Sequence, residues 1–221
     1  MVFYSLIRNF AGQMNTIEDY IKERERLEEE AGSCFMAEEP SWRNMADELQ
    51  ELHYLKGAQF VNQLKLIVCY GEFHSVEGES DIFSALGEQS PDYDNLLNAA
   101  RKAVEHGYRV YILPNPKGIR TADYIFVRKG IYRLYDLKTI QGKSSVFNRL
   151  SESVGQTNHV LLNMAVNYNA RLLASDIKAY FEINDDAVEV LIFRGNKMVS
   201  IKRSFASSPT FNRTFRKIYE K

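Results

Sequence analysis

Asp123, Asp136 and Lys138 fall in two neighbouring runs rich in aromatic and β-branched residues, Thr121-Ala-Asp-Tyr-Ile-Phe126 and Ile131-Tyr-Arg-Leu-Tyr-Asp-Leu-Lys138. Read as strands, such runs alternate faces, so Asp136 and Lys138 point one way and Leu137 the other. Arg128-Lys129-Gly130 between them is a hairpin signal. With the tip at Lys129-Gly130, position 123 stands opposite roughly position 136, a pairing that a register slip would break. Two carboxylates converging at one sheet edge repel each other unless something positive lies between them. A hard divalent cation with oxygen ligands, such as Mg²⁺, meets that need, and the Leu137 backbone carbonyl is placed to add a ligand. Lys138 then stands beside the metal, where it can position or help deprotonate an attacking water and offset phosphate charge. The plain alternative is an edge ion pair of Asp136 with Lys138, worth at most ~1 kcal/mol if exposed.

The elements that must position these residues can be read around them. Ser90-Pro91 signals a helix start with Asp92 and Asp94 in the first turn; Leu96, Leu97, Ala100 and Val104 give it a buried stripe and Gly107 closes it. Residues 108–113 form a strand ended by Pro114-Asn115-Pro116, and the hairpin strands follow. A polar stretch from Thr139 to Ser145 leads into a helix ending near Asn158. Residues 159–166 read as a buried strand, 170–183 as a helix, and 188–193 with 197–202 as a hairpin split by Arg194-Gly195-Asn196. The order is helix, three strands, helix, strand, helix, hairpin: an α/β layered domain, helices covering a mixed (α+β) sheet. Before residue 89 the chain reads as mostly helical, with helices over about 16–30 and 40–55, the second carrying Trp42, Met45, Leu49 and Leu52 on one face. Residues 59–70 end as a strand, and residues 71–90 make a linker or surface loop. The expected division is therefore an acidic helical region, 1–88, and a chemistry-bearing domain, 89–221.

This grammar resembles the PD-(D/E)XK nuclease superfamily, whose restriction-endonuclease-like core is helix, three strands, helix, strand. Its signature here is Asp123, twelve residues, then Asp136-Leu137-Lys138, with Ala122 where the superfamily has proline. More narrowly, Leu113-Pro-Asn-Pro, Thr121-Ala-Asp-Tyr, Asp136-Leu-Lys-Thr139, Lys143-Ser144 and Gln156 look like the C-terminal tRNase domain of contact-dependent growth inhibition toxins. The resemblance covers about residues 90–205. It implies a metal-dependent RNase toxin that cuts tRNA in the cytoplasm of a competing bacterium and is held off by an immunity protein. It assigns Asp123 and Asp136 to the metal and Lys138 to the water or the scissile phosphate. Glu105 is either a further metal ligand or a solvated acid near a helix C-terminus. Thr121 and Thr139 flank the acids, able to bond substrate or the metal's waters but also ordinary in strands. Lys143 and Ser144 suit a phosphate or a plain loop, and Gln156 either faces the site or lies on a helix surface.

Composition sets the limits. The 221 residues, 45% hydrophobic with 12 Gly and 5 Pro, can bury a real core and are neither disordered nor fibrous. Cys34 and Cys69 make no disulfide framework or CxxC zinc site. No secretory signal is expected at the start, and no apolar run approaches the ~20 residues needed to cross a bilayer. Beneath the net charge of −1, residues 1–100 carry 7 Lys+Arg against 19 Asp+Glu, and residues 101–221 carry 21 against 10. The basic half, with Lys117, Arg120, Lys143 and Arg149 around the site, can hold a nucleic-acid backbone, or the two halves attract each other. The acidic region is a delivery or partner-binding segment, or an internal mimic of phosphate. His74 reads as part of an acidic loop, His53 and His159 show no partner, and Phe211-Asn-Arg-Thr-Phe-Arg-Lys-Ile-Tyr219 suits an RNA-binding tail or a docked terminal helix. The leading expectation is a Mg²⁺-dependent endonuclease acting on RNA. The alternatives are a DNA endonuclease of a mobile element and a catalytically inactive nuclease-fold adaptor.

Overall fold

The computed structural model describes residues 45–86, 90–115, 120–142 and 146–220. The chain divides into two compact units, Met1–Arg43 and Asn44–Lys221, and every described residue belongs to the second. The helix expected over 16–30, and Trp42, lie outside the described residues.

In chain order the elements are α1 Met45–Glu51, α2 Gly57–Tyr70, β1 His74–Ser75, β2 Ile82–Ser84, α3 Tyr93–Glu105, β3 Arg109–Ile112, β4 Tyr124–Arg128, β5 Ile131–Ile140, α4 Val146–Ser151, β6 His159–Met164, α5 Ala170–Ile183, β7 Glu189–Arg194, β8 Lys197–Lys202, α6 Arg203–Ala206 and α7 Phe211–Glu220. The strands form one eight-stranded mixed sheet whose spatial order is the chain order. Parallel neighbours (β2/β3, β5/β6 and β6/β7) are joined by the crossover helices α3, α4 and α5, and the remaining pairs are antiparallel.

Two short turns set the antiparallel registers. Lys129 and Gly130 both have positive φ, 52° and 73°, the backbone of a type I′ hairpin turn, which pairs Arg128 with Ile131 and Tyr124 with Tyr135. Gly195 (φ 55°) takes the first central position of the β7–β8 turn, as a type II′ turn requires.

Helices cover both faces. On one, α3 lays Leu96, Ala99, Ala100 and Ala103 against Tyr124, Phe126, Tyr135, Leu137 and Phe193. The alanines let this helix come close to a surface of large aromatics. On the other face, Leu49 of α1, Leu52 just after it, and Leu64 and Ile67 of α2 pack on Tyr111, Ile125 and Leu134. Further along that face, α4, α5 and α7 cover Ile140, Val160, Leu162, Val190, Ile192 and Ile201. Each of these fully buried large side chains contributes about 1.5–3 kcal/mol through area removed from water. Among the described residues no helix is long and apolar enough to cross a membrane.

Local readings differ from this fold in four places. Residues 59–70 are helix α2, because Phe60, Leu64 and Ile67 make an apolar stripe at helical spacing that packs on the sheet, overriding the β-branched Ile67-Val68. Residues 71–90 are more than a loop: β1 and β2 join the sheet, β2 clamped to β3 by Val110 N–H to the Asp81 carbonyl (2.8 Å) and Ala85 N–H to the Ile112 carbonyl (3.0 Å). Strands of two and three residues are too short to show a period. The helix after β5 ends at Ser151, well before Asn158, and turns carry the chain through Gly155 at φ 81°. The first helix of the acid-bearing region starts at Tyr93, with Asp92 rather than Ser90 at its N-cap.

Candidate active site

The hairpin turn delivers the carboxylates. The ladder ends at Tyr124–Tyr135, and just beyond it the Asp123 N–H donates to the carbonyl of that same Tyr135 at 3.0 Å, which holds Asp123 beside the Asp136 end of β5. Asp123 sits just before the first residue of β4, and Asp136 lies on the face of β5 that carries Leu134. There β5 presents Leu134 to one helix pack and Ile140 to the other, with Asp136 and Lys138 in between. Asp136 and Lys138 thus occupy the gap between two covering layers, where a polar group can be enclosed.

Each carboxylate is held by a donor. The Leu137 N–H donates to Asp123 Oδ2 at 2.5 Å. Asp136, buried at 2% exposure, accepts from Ser153 Oγ at 2.6 Å and from Lys138 Nζ at 2.8 Å. Burial first and the Asp136 charge second push the Asp123 carboxyl up to about 7, against the lowering pull of the Leu137 N–H and Lys138.

Beside the pair lies a cleft of about 420 Å³ lined by Asp123, Leu137, Lys138 and Thr139 of the hairpin, and by Asp92, Asn95, Asn115, Gln141, Arg149 and Glu152 among others. Thr139 Oγ1 donates to Asn95 Oδ1 at 2.9 Å, joining the end of β5 to the first turns of α3. Arg149 and Glu152 pair with each other at 3.1 Å, both about half exposed.

The other sequence-read residues are scattered. Glu105 is exposed at the C-terminus of α3, ten residues and so about 15 Å along the helix from Asn95. It is the N-terminal end of α3 that faces the cleft. Gln156 donates to its own segment's Glu152 carbonyl at 3.0 Å; the residue of that segment that reaches the acids is Ser153. Thr121 Oγ1 bonds the Pro114 carbonyl at 3.4 Å. Arg120 is exposed, and its carbonyl meets His53 Nε2 at 2.9 Å, giving that histidine a partner. His159 also has one, Asn158 Oδ1 at 2.6 Å, and burial lowers its pKa to about 4. Lys117, Lys143 and Ser144 lie outside the described residues.

Sequence reasoning missed Ser153, Asn95 and Asn115. Asn95 was not legible, because which end of its helix meets the strands is settled by packing. Nothing in the sequence separates Ser153 from Ser151.

The donor set fits a hard cation. Among the described residues no three His, Cys, Asp or Glu side chains converge. Two carboxylates beside a water-accessible cleft are nevertheless a ligand set that Mg²⁺ accepts, because that ion keeps several of its waters. Asp123 and Asp136 would hold it, and the Asp136 charge, which adds to burial in raising the Asp123 pKa, is what such an ion would offset. Lys138 would have to relax its hold on Asp136.

No family model matches the chain, and no curated protein matches it. Among solved structures, the CdiA-CT/CdiI toxin and immunity complex from Burkholderia pseudomallei contains a chain similar to this one at 15% identity, covering 53% of this chain and 92% of that one with a TM-score of 0.35. A likeness that loose argues for neither fold nor activity.

Proposed function

We propose that this chain is a metal-dependent phosphodiesterase that cleaves RNA, with tRNA as the favoured substrate. We further propose that it acts as a toxin in a bacterial cytoplasm and is restrained by a cognate immunity protein. One observation carries the chemical reading: Asp123, Asp136 and Lys138 meet at the end of one hairpin beside a cleft, where burial and then the Asp136 charge push the Asp123 carboxyl up to about 7. A structural ion pair needs one acid. A second acid pressed against it is costly unless a cation is to be taken up.

A bound divalent cation supplies a water of lowered pKa and a Lewis acid for the phosphoryl oxygen. The chain's own groups do the rest. The Leu137 N–H and Ser153 Oγ fix the two carboxylates in orientation, so neither must be ordered on binding. Lys138, its side chain 14% exposed, borders the cleft and can donate to an attacking water or a phosphate oxygen. Arg149 at the cleft wall can take a neighbouring phosphate once Glu152 releases it. The surplus of 11 positive charges over residues 101–221 favours a polyanionic substrate.

The test is cleavage of total tRNA by the purified chain with Mg²⁺ or EDTA, beside Asp136→Asn. Discrete fragments that disappear in EDTA, and fall at least ~100-fold in the variant, are expected. Intact tRNA with cut plasmid or linear DNA makes the chain a DNA endonuclease. If both stay intact, the nuclease reading fails and the fold serves as a binding module.

A further inference from the structure

Helix α7 carries a basic face that the cleft does not use. Phe211, Phe215 and Tyr219, spaced by four, are buried and stack in series at 5.5 and 5.4 Å between ring centroids. That docking turns Asn212, Arg213, Arg216 and Lys217 outward, where with Arg171 from the first turn of α5 they line a groove of about 380 Å³. No acid lines it. Arg216 pairs with Glu220 at 3.3 Å, both half exposed, whereas Arg171, Arg213 and Lys217 have no carboxylate partner among the described residues. Like charges three and four apart on a helix cost a few tenths of a kcal/mol each, and a concave wall concentrates their field. The groove is built to be neutralised by an anion.

Three Arg forks suit phosphate oxygens, which they can bind two at a time. A lipid surface is the poorer match, because the aromatic face that would enter it is spent inside the core. The elements that build the groove are bonded to the strand ends near the cleft. Ala165 N–H, just past β6, donates to the Ile140 carbonyl at the end of β5 (3.0 Å), a few residues before α5 begins. Arg194, at the end of the parallel β7, donates to Asn167 Oδ1 at 3.1 Å and to the Tyr219 carbonyl of α7. The start of α5 and the end of α7 are thus tied to the carboxyl edge that bears Thr139 and Gln141.

We infer that the Arg171/Arg213/Arg216/Lys217 groove is a second phosphate-binding site, gripping the backbone of a nucleic acid whose scissile bond lies in the Asp123/Asp136 cleft. The choice of nucleic acid among polyanions rests on the phosphodiesterase reading; the groove's demand for an anion does not.

The test is binding of fluorescent tRNA to the full chain in EDTA, across a KCl series. Arg213→Gln/Arg216→Gln/Lys217→Gln should weaken binding about tenfold or more and make the salt slope shallower by about 2–3. Arg171→Gln, on the opposite wall, should remove roughly one unit of slope. All four side chains are exposed, so circular dichroism and melting should match wild type. Lys56→Gln/Lys65→Gln/Lys197→Gln removes equal charge at exposed positions outside the groove and should change affinity little. Equal losses in both triple variants, or none in the groove variants, would overturn the inference. So would groove-dependent binding to phosphatidylserine vesicles with tRNA binding unaffected. Groove-dependent tRNA binding by a chain that cleaves nothing counts against the phosphodiesterase reading alone.

Discussion

Asp123 keeps its proton to about pH 7 because burial and the Asp136 charge both penalise its ionised form. Between its ordinary 3.8 and about 7 the folded chain holds a proton that the unfolded chain has lost, so stability falls as pH rises through that window and levels off above it. Asp123→Asn keeps an oxygen for the Leu137 N–H and removes the charge. It should stabilise the metal-free chain at pH 8 by about 2 to 4 kcal/mol, with the gain gone near pH 4. Urea melts at the two pH values read this directly, and a gain independent of pH would refute the assignment. Ser153, fully buried with Asp136 as its acceptor, gives the opposite sign. Ser153→Ala strips a donor from a buried carboxylate and should cost about 1–3 kcal/mol. It should also lower cleavage at saturating metal by weakening the hold on Asp136, read from melting and tRNA assays side by side. The carboxylates were legible as residues because Asp and Lys two apart on a strand must share a face. Ser153 was not, because a turn residue's reach depends on tertiary placement that no local period encodes.

At the scale of elements, the site depends on a two-residue turn. Lys129 occupies the left-handed region at φ 52°, where a side chain with a Cβ is strained and Asn or Gly is not. Lys129→Asn should stabilise the chain by a few tenths to about 1 kcal/mol without moving the acids, since it changes only the turn's backbone preference. Denaturant midpoints check this, and an altered tRNA cleavage rate would show that the turn had shifted the register. The hairpin was readable from the Lys129-Gly130 signal and from the symmetry of 123 and 136 about it. Helix α2 was not, because Ile67-Val68-Cys69-Tyr70 favours a strand until Leu64 and Ile67 are packed on β3–β5. Nor were β1 and β2, whose pairing is supplied by β3 rather than by their own sequence. Glu105 illustrates the same limit: a helix was correctly expected there, but which of its ends meets the strands is a question of packing.

At the scale of the molecule, the described part of the acidic half, from residue 45, belongs to the same compact unit as the basic half. Two exposed ion pairs cross between them in the described residues, Arg101 with Glu79 at 2.6 Å and Arg109 with Asp81 at 3.2 Å, each worth no more than about 1 kcal/mol. What joins residues 45–84 to the rest is apolar packing and strand pairing. Removing residues 1–43 should therefore leave cooperative melting intact. Removing 1–85 deletes Leu49, Leu52, Leu64, Ile67 and Ile82 from the core and should abolish it, at a loss of about 2–5 kcal/mol for each large apolar side chain. Calorimetry on the two truncations decides, and equal behaviour would refute the division at residue 43.

A sheet whose spatial order repeats the chain order means that every strand finds its neighbour already formed. A chain leaving a ribosome, or threading through a narrow passage from its N-terminus, can lay down each strand on the last without waiting for a distant partner, and short sequence separations favour fast closure. Asp123 and Asp136 come together as soon as their hairpin closes, but Ser153 and the cover from α4 and β6 arrive only once the chain has passed Met164. Such a molecule would assemble its paired acids early and shelter them late.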